Sequence, residues 1–171
     1  DVTAEQLAGM KPVFKPDGSV TAGNASGIND GAAGLVLASG DAVKRLGLKP
    51  LARVVGYAHA GVEPALMGLG PIPATRNVLA RTGLKVQDLD VIESNEAFAA
   101  QACAVARELG LAPDKVNPNG SGISLGHPVG ATGAIIATKA LHALQRIQGR
   151  YALATMCIRG GPGIAVVSER V

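Results

Sequence analysis

Short apolar runs rich in β-branched residues recur along the 171-residue chain, each followed by a turn and then a helical pattern closed by glycine. That alternation is the signature of βα units, and it predicts an α/β fold: a mixed, mainly parallel sheet with helices on both faces. Strands are expected near 33–38, 52–60, 89–93, 116–124, 151–157 and 163–168, and helices near 40–46, 72–82, 97–109 and 131–147. Three helices stop alike, at Leu46-Gly47-Leu48, Thr82-Gly83-Leu84 and Leu109-Gly110-Leu111. Each places Gly where a left-handed residue is wanted and Leu where it can fold back on the last turn. The last two strands are separated only by Ile158-Arg159-Gly160-Gly161-Pro162, too short for a crossover helix, so they are expected to pair as a hairpin. Phe98, Ala102, Val105 and Leu109 recur at helical spacing and predict one buried face. The final helix runs through Ile135, Ile136, Leu141 and Leu144, with Lys139 and Arg146 expected on its surface. Residues 1–30 read as an irregular, turn-rich lead-in to a single domain over 31–171.

Composition sharpens this in two ways. With 23 Gly, 10 Pro and 2% aromatic residues in a chain that is 47% hydrophobic, the core has to be packed from Ala, Val, Leu and Ile. The 16 basic and 13 acidic residues are scattered, without the basic runs and interleaved aromatics that track a nucleic acid, so the net charge of +3 argues against that class of partner. No apolar run is long enough to span a membrane, and Asp1-Val2-Thr3-Ala4-Glu5 has no signal-peptide pattern. The chain does not begin with Met, so it is expected to be a fragment or a processed piece. Two cysteines do not make a disulfide framework, which points to a reducing, cytoplasmic setting. No metal and no permanently bound cofactor is expected.

Candidate chemistry gathers where expected strands end, the edge at which open α/β sheets bind ligands. The three clusters are Glu93-Ser94-Asn95-Glu96-Ala97-Phe98, the glycine-rich stretch Asn117 to Pro128, and Cys157 to Gly163. His127 stands between Gly126 and Pro128, just before a helix start, where an imidazole can exchange a proton near neutral pH or can simply act as a cap. Cys157 enters a turn whose backbone N–H groups can bind an oxyanion and lower a thiol pKa; a buried inert cysteine is the alternative. Cys103, within a helix among alanines, reads as inert. Asn95 and Glu96 can cap the following helix. His59 and His142 receive no role.

Four segments together resemble the thiolase family: TAGNASGINDG from Thr21 to Gly31, NEAF from Asn95 to Phe98, GSGISLGHPVGATG from Gly120 to Gly133, and Cys157 to Gly163. They occur in the family's order, with Asn95 and His127 separated by 32 positions. The resemblance implies a layered αβαβα subunit built from two similar halves, assembled as a dimer or tetramer, of which this chain is the second half. It implies reversible Claisen condensation and thiolysis of 3-ketoacyl-CoA, with the nucleophilic cysteine on an absent N-terminal half, so that the isolated chain is inactive. By position, His127 would activate that cysteine and Cys157 would move a proton at the α-carbon. Asn95 would hold a water that forms an oxyanion hole with His127, and the backbone N–H of Arg159 would form a second. Ala22, Ser26, Met67, Ala97 and Phe98 match substrate-binding positions, and coenzyme A thioesters are the implied substrates. For Met67 and Phe98 ordinary core packing is the competing expectation.

The chain departs from the family's Cys-x-Gly-Gly-Gly at Arg159, and again at Pro162. A left-handed arginine there would cost about 1–2 kcal/mol, so either the turn has shifted or activity is impaired. The competing expectation is a non-catalytic CoA-binding or assembly domain of the same fold. A decarboxylating ketoacyl synthase is disfavoured, because its paired histidines are missing and NEAF and Cys157 are present.

Overall fold

The computed structural model describes residues 2–171. In chain order the elements are α1 (Ala4–Ala8), α2 (Gly40–Leu46), β1 (Ala52–Gly61), α3 (Pro71–Thr82), β2 (Val91–Ser94), α4 (Ala99–Leu109), α5 (Gly122–Leu125), α6 (Thr132–Ile147), β3 (Tyr151–Cys157) and β4 (Pro162–Arg170), with short 3-10 turns at Pro64–Leu69, Val86–Asp88 and Pro113–Lys115. The three glycine stops form as expected: Gly47, Gly83 and Gly110 are left-handed, and the N–H groups of Leu48, Leu84 and Leu111 bond back to Val43, Leu79 and Ala106. No described helix is long and apolar enough to cross a membrane.

The four strands lie in the order β1-β4-β3-β2. The sheet is mixed, but its parallel share is smaller than the sequence pattern predicts. Only β2 and β3 pair in parallel, while β4 runs antiparallel to both β3 and β1. The hairpin supplies one antiparallel pair and the return of β4 to β1 supplies the other. Helices cover both faces. Ile92 and Leu153 join Val78, Leu79, Val105 and Leu109 of α3 and α4 in one core, whereas their neighbours Val91 and Ala152 join Ala140, Ala143 and Leu144 of α6 in another. This is the period-2 alternation of a strand covered on both sides.

Two expected strands do not form. At 116–124 only Val116 makes a parallel bridge, with Ile92. Asn117 (φ 48°) and Gly120 (φ 80°) then turn the chain, Pro118 has no N–H to give to a ladder, and the segment closes into α5. The run at 33–38 has no ladder partner and is fully outside, with Val36 97% and Leu37 81% exposed. Its pattern is that of a strand, and a strand needs a neighbour that no described element supplies. In the opposite direction, α1 was missed: Thr3 and Gln6 exchange side-chain-to-backbone bonds in a capping box, a Thr-x-x-Gln signal that is present in the sequence. Phe98 precedes α4 rather than joining it. Its backbone is extended, it bridges Ala25, and its ring meets Phe14 edge-on at 6.1 Å.

Candidate active site

The site is assembled where β2 and β3 end, by three segments that bond to one another. Asn95, directly after β2, is 1% exposed and its N–H bonds to Thr155 O on β3 at 3.0 Å. The loop after Val116 is clasped to the same strand end. The Asn117 side chain accepts from Ser94 N at 2.9 Å and donates to Ser94 O at 2.8 Å, and the Ser121 hydroxyl donates to Ser94 O at 3.3 Å. From the lead-in, Ser26 N donates to Ala97 O at 3.0 Å and Ala99 N to Asn24 O at 2.9 Å. Asn29 Oδ1 takes the His127 N–H at 2.9 Å. Neither Asn95 nor Glu96 caps α4; Phe98 occupies the cap position, which leaves the Asn95 carboxamide free for the site.

His127 is fixed at both ring nitrogens. Thr132 Oγ1 lies 3.0 Å from Pro128 O and 2.7 Å from His127 Nδ1, so the hydroxyl anchors that side of the ring. On the other side Nε2 lies 3.5 Å from Asn95 Nδ2; with the ring proton on Nδ1, Nε2 would present its lone pair there. Partial burial lowers the imidazole pKa from its ordinary 6.5, so the ring is neutral at pH 7 and Nε2 is a base.

Cys157 ends β3, two residues beyond the Thr155 carbonyl that holds Asn95 N–H, and is 5% exposed. Burial pushes its thiol above the ordinary 9.0, with a backbone hydrogen bond opposing that only in part. This reverses the expectation that the turn would depress the pKa: in an apolar setting, desolvation of a thiolate outweighs one N–H. Cys103 is free and exposed, on the outer side of α4.

After Cys157 the chain turns at Gly160 (φ 94°) and Gly161 (φ 110°), while Arg159 keeps an ordinary negative φ. The left-handed strain anticipated at Arg159 is therefore absent, because the two glycines take both left-handed positions. Among the described residues the N–H groups of Arg159 and Gly160 have no backbone partner, whereas Ile158 N bonds to Pro162 O and Gly161 N to Ile158 O. Arg159→Gly is accordingly expected to bring no gain in stability, and a loss of about 0.5–1 kcal/mol from added chain entropy. A urea unfolding curve showing a gain of that size would reveal strain at Arg159 after all.

Other sequence candidates are placed less centrally. Ala22 is exposed in the Thr21–Asn24 turn, Ser26 is half-buried beside Ala97, and Met67 is half-buried in the Pro64–Leu69 turn. The adjoining Gly68 of that turn faces the Gln101 side chain of α4. His59 and His142 are exposed, away from the cluster. Lys139 is a correction. Instead of lying on the helix surface, it reaches under the site to the fully buried Glu93 carboxylate, Nζ to Oε2 2.7 Å. A carboxylate in the otherwise apolar stretch Val91-Ile92-Glu93 was the signal that a cation had to meet it.

The two perturbed site groups set a pH window for stability. The lowered histidine pKa contributes stability that is present above pH 6.5 and lost as pH falls through the folded value. The raised thiol pKa contributes stability that is present below pH 9.0 and lost as pH rises through its folded value. The urea midpoint should therefore decline on both sides of that window. Cys157→Ala should flatten the alkaline decline and His127→Ala the acid one; unchanged slopes in these variants would assign the declines to other groups.

The family described as thiolase, C-terminal domain, matches residues 48–170, and that described as thiolase, N-terminal domain, matches residues 1–41. Beta-ketothiolase BktB of Cupriavidus necator is 64% identical over 172 residues, covering all of this chain and 44% of the relative. The Bacillus anthracis acetyl-CoA acetyltransferase crystal structure superposes with a TM-score of 0.96 at 54% identity, over 100% of this chain and 43% of that one. Human mitochondrial 3-ketoacyl-CoA thiolase, solved in complex with CoA, does so at 0.91 and 46%, over 99% and 43%. The chain thus spans less than half the length of these relatives. With both family domains matched in order, and Asn95 and His127 brought together within the C-terminal one, the chain belongs to the thiolase family.

Proposed function

We propose that this chain supplies the general base, the proton-moving thiol and the oxyanion donors of an acetyl-CoA C-acyltransferase, in which a preceding part carries the nucleophilic cysteine. The observation that carries this is the anchored ring of His127, a neutral imidazole held by Thr132 at Nδ1 with Nε2 beside Asn95. In thiolysis of a 3-ketoacyl-CoA, Nε2 takes the proton of the nucleophilic thiol as sulfur attacks the C3 carbonyl. The new Nε2–H then joins a water held by Asn95 as a donor to a developing oxyanion. The C2–C3 bond breaks, C2 takes the proton of Cys157, and acetyl-CoA leaves. Free CoA then gives its thiol proton to the Cys157 thiolate as its sulfur attacks the acyl-cysteine; the released cysteine sulfur takes back the proton held on Nε2, and acyl-CoA departs. Condensation runs these steps backward. The raised pKa of Cys157 suits this role, since the thiol holds its proton at neutral pH until a carbanion demands it. The unpartnered N–H of Arg159 supports a second oxyanion site, and backbone strain gives no support to a non-catalytic alternative.

The lead-in residues Ala22 and Ser26, with Met67, Ala97 and Phe98, are assigned to the acyl-CoA pocket. Coenzyme A thioesters are the substrates, and no resident cofactor takes part. The exposed run Leu35, Val36 and Leu37 is assigned as a strand that completes a sheet of the preceding part, in a dimeric or tetrameric cytoplasmic enzyme. The test joins this chain behind the first part of the Cupriavidus necator relative and assays acetoacetyl-CoA thiolysis. Turnover by the assembled protein and none by the 171-residue chain is the expected result. An inactive assembly that folds and binds CoA would instead favour a binding module.

A further inference from the structure

Lys139 joins three pieces around the Asn95–His127 pair, namely β2, the loop before His127 and α6. It lies on α6, two helical turns beyond the Thr132 that orients His127. Its Nζ donates to Glu93 Oε2 on β2, two residues before Asn95, and to Gly120 O in the loop that leads to His127. The Glu93 carboxylate is 0% exposed and the Lys139 side chain 18%. Glu93 Oε1 has no hydrogen-bond partner among the described residues, and burial raises the carboxyl pKa despite the adjacent ammonium. Lys139 also lines a small cavity of about 20 Å³ together with Asn95, Ser121 and Thr132. A buried pair with one orphaned oxygen is a poor way to gain stability, because desolvating two charges offsets most of their attraction and an apolar pair of equal volume often does better. Its geometry, by contrast, is specific: one ammonium ties the strand end holding Asn95 to the loop and helix holding His127.

We propose that Glu93 and Lys139 are positioning residues of the thiolase site: their ion pair sets the placement of Asn95 relative to His127, and neither group exchanges a proton with substrate. This rests on the function proposed above. In the assembled protein, Glu93→Leu combined with Lys139→Met replaces the pair by apolar side chains. The expected result is unchanged or higher thermal stability, kcat lowered about tenfold or more, and KM for acetoacetyl-CoA changed by less than about twofold. Lys139→Arg, which keeps the ion pair, should retain most of the turnover. Glu93→Gln, which leaves the Gly120 clasp in place, carries the same test with a smaller loss should the double variant not fold. Wild-type kcat in a folded double variant or in Glu93→Gln overturns the proposal while leaving the thiolase function intact. An equal loss in Lys139→Arg and the double variant also overturns it. An inactive unsubstituted assembly defeats the functional reading, and the positioning role with it.

Discussion

His127→Ala in the assembled enzyme lowers kcat for acetoacetyl-CoA thiolysis by about 10²–10⁴, the span that a positioned general base contributes. The size follows from two duties falling on one ring: Nε2 first accepts a thiol proton and then, as Nε2–H, donates to the oxyanion. Thr132→Val gives a graded version. It keeps the imidazole but removes the oxygen, 2.7 Å from Nδ1, that anchors the ring. The ring then loses its anchor, Nε2 is held less well for proton transfer, and turnover should fall about tenfold, or ~1.4 kcal/mol of barrier. Steady-state kinetics on the two variants, with urea curves to show that each is folded, provide the check. Undiminished turnover in His127→Ala would remove the histidine from the chemistry.

Gly163→Ala should be among the most destabilising single-methyl additions in the chain, costing about 3 kcal/mol, at the upper end for overpacking. Gly163 pairs with Cys157 at the mouth of the hairpin. A Cβ there would stand 2.0 Å from the carbonyl carbon of Gly70 and 2.1 Å from its oxygen, at the start of α3. Both are backbone atoms, so no side chain can rotate away, and either α3 or the Cys157 turn must move. Gly61→Ala, in the same region of the sheet, meets nothing within 4 Å and serves as the control, with a change within about 0.5 kcal/mol. Equal urea midpoints for the two variants would mean that the contact between β4 and α3 yields freely. If Gly163→Ala is destabilised as expected, Cys157 should also react faster with a thiol reagent, since its burial depends on that seam.

The sequence by itself determined the elements whose cause is local. Three glycine-leucine helix stops, the hairpin of β3 and β4, the long amphipathic α6 and the placing of Asn95 and Cys157 at strand ends all follow from short-range pattern and backbone chemistry, whereas His127 follows the short helix α5 instead of a strand. Only the tertiary structure decided what depends on a neighbour distant in sequence. The run at 33–38 has a strand's alternatives but no partner, so it stays unpaired; Val116 gains a single bridge before Asn117 turns the chain. The anchoring of the His127 ring by Thr132, the upward shift of the Cys157 thiol and the descent of Lys139 to Glu93 were likewise settled by packing. The same was true of Arg159, where a motif predicted strain and the folded turn moved both left-handed positions onto Gly160 and Gly161. Hydrogen-bond direction, desolvation and ion pairing act through space, and a residue's own segment does not reveal which groups will surround it.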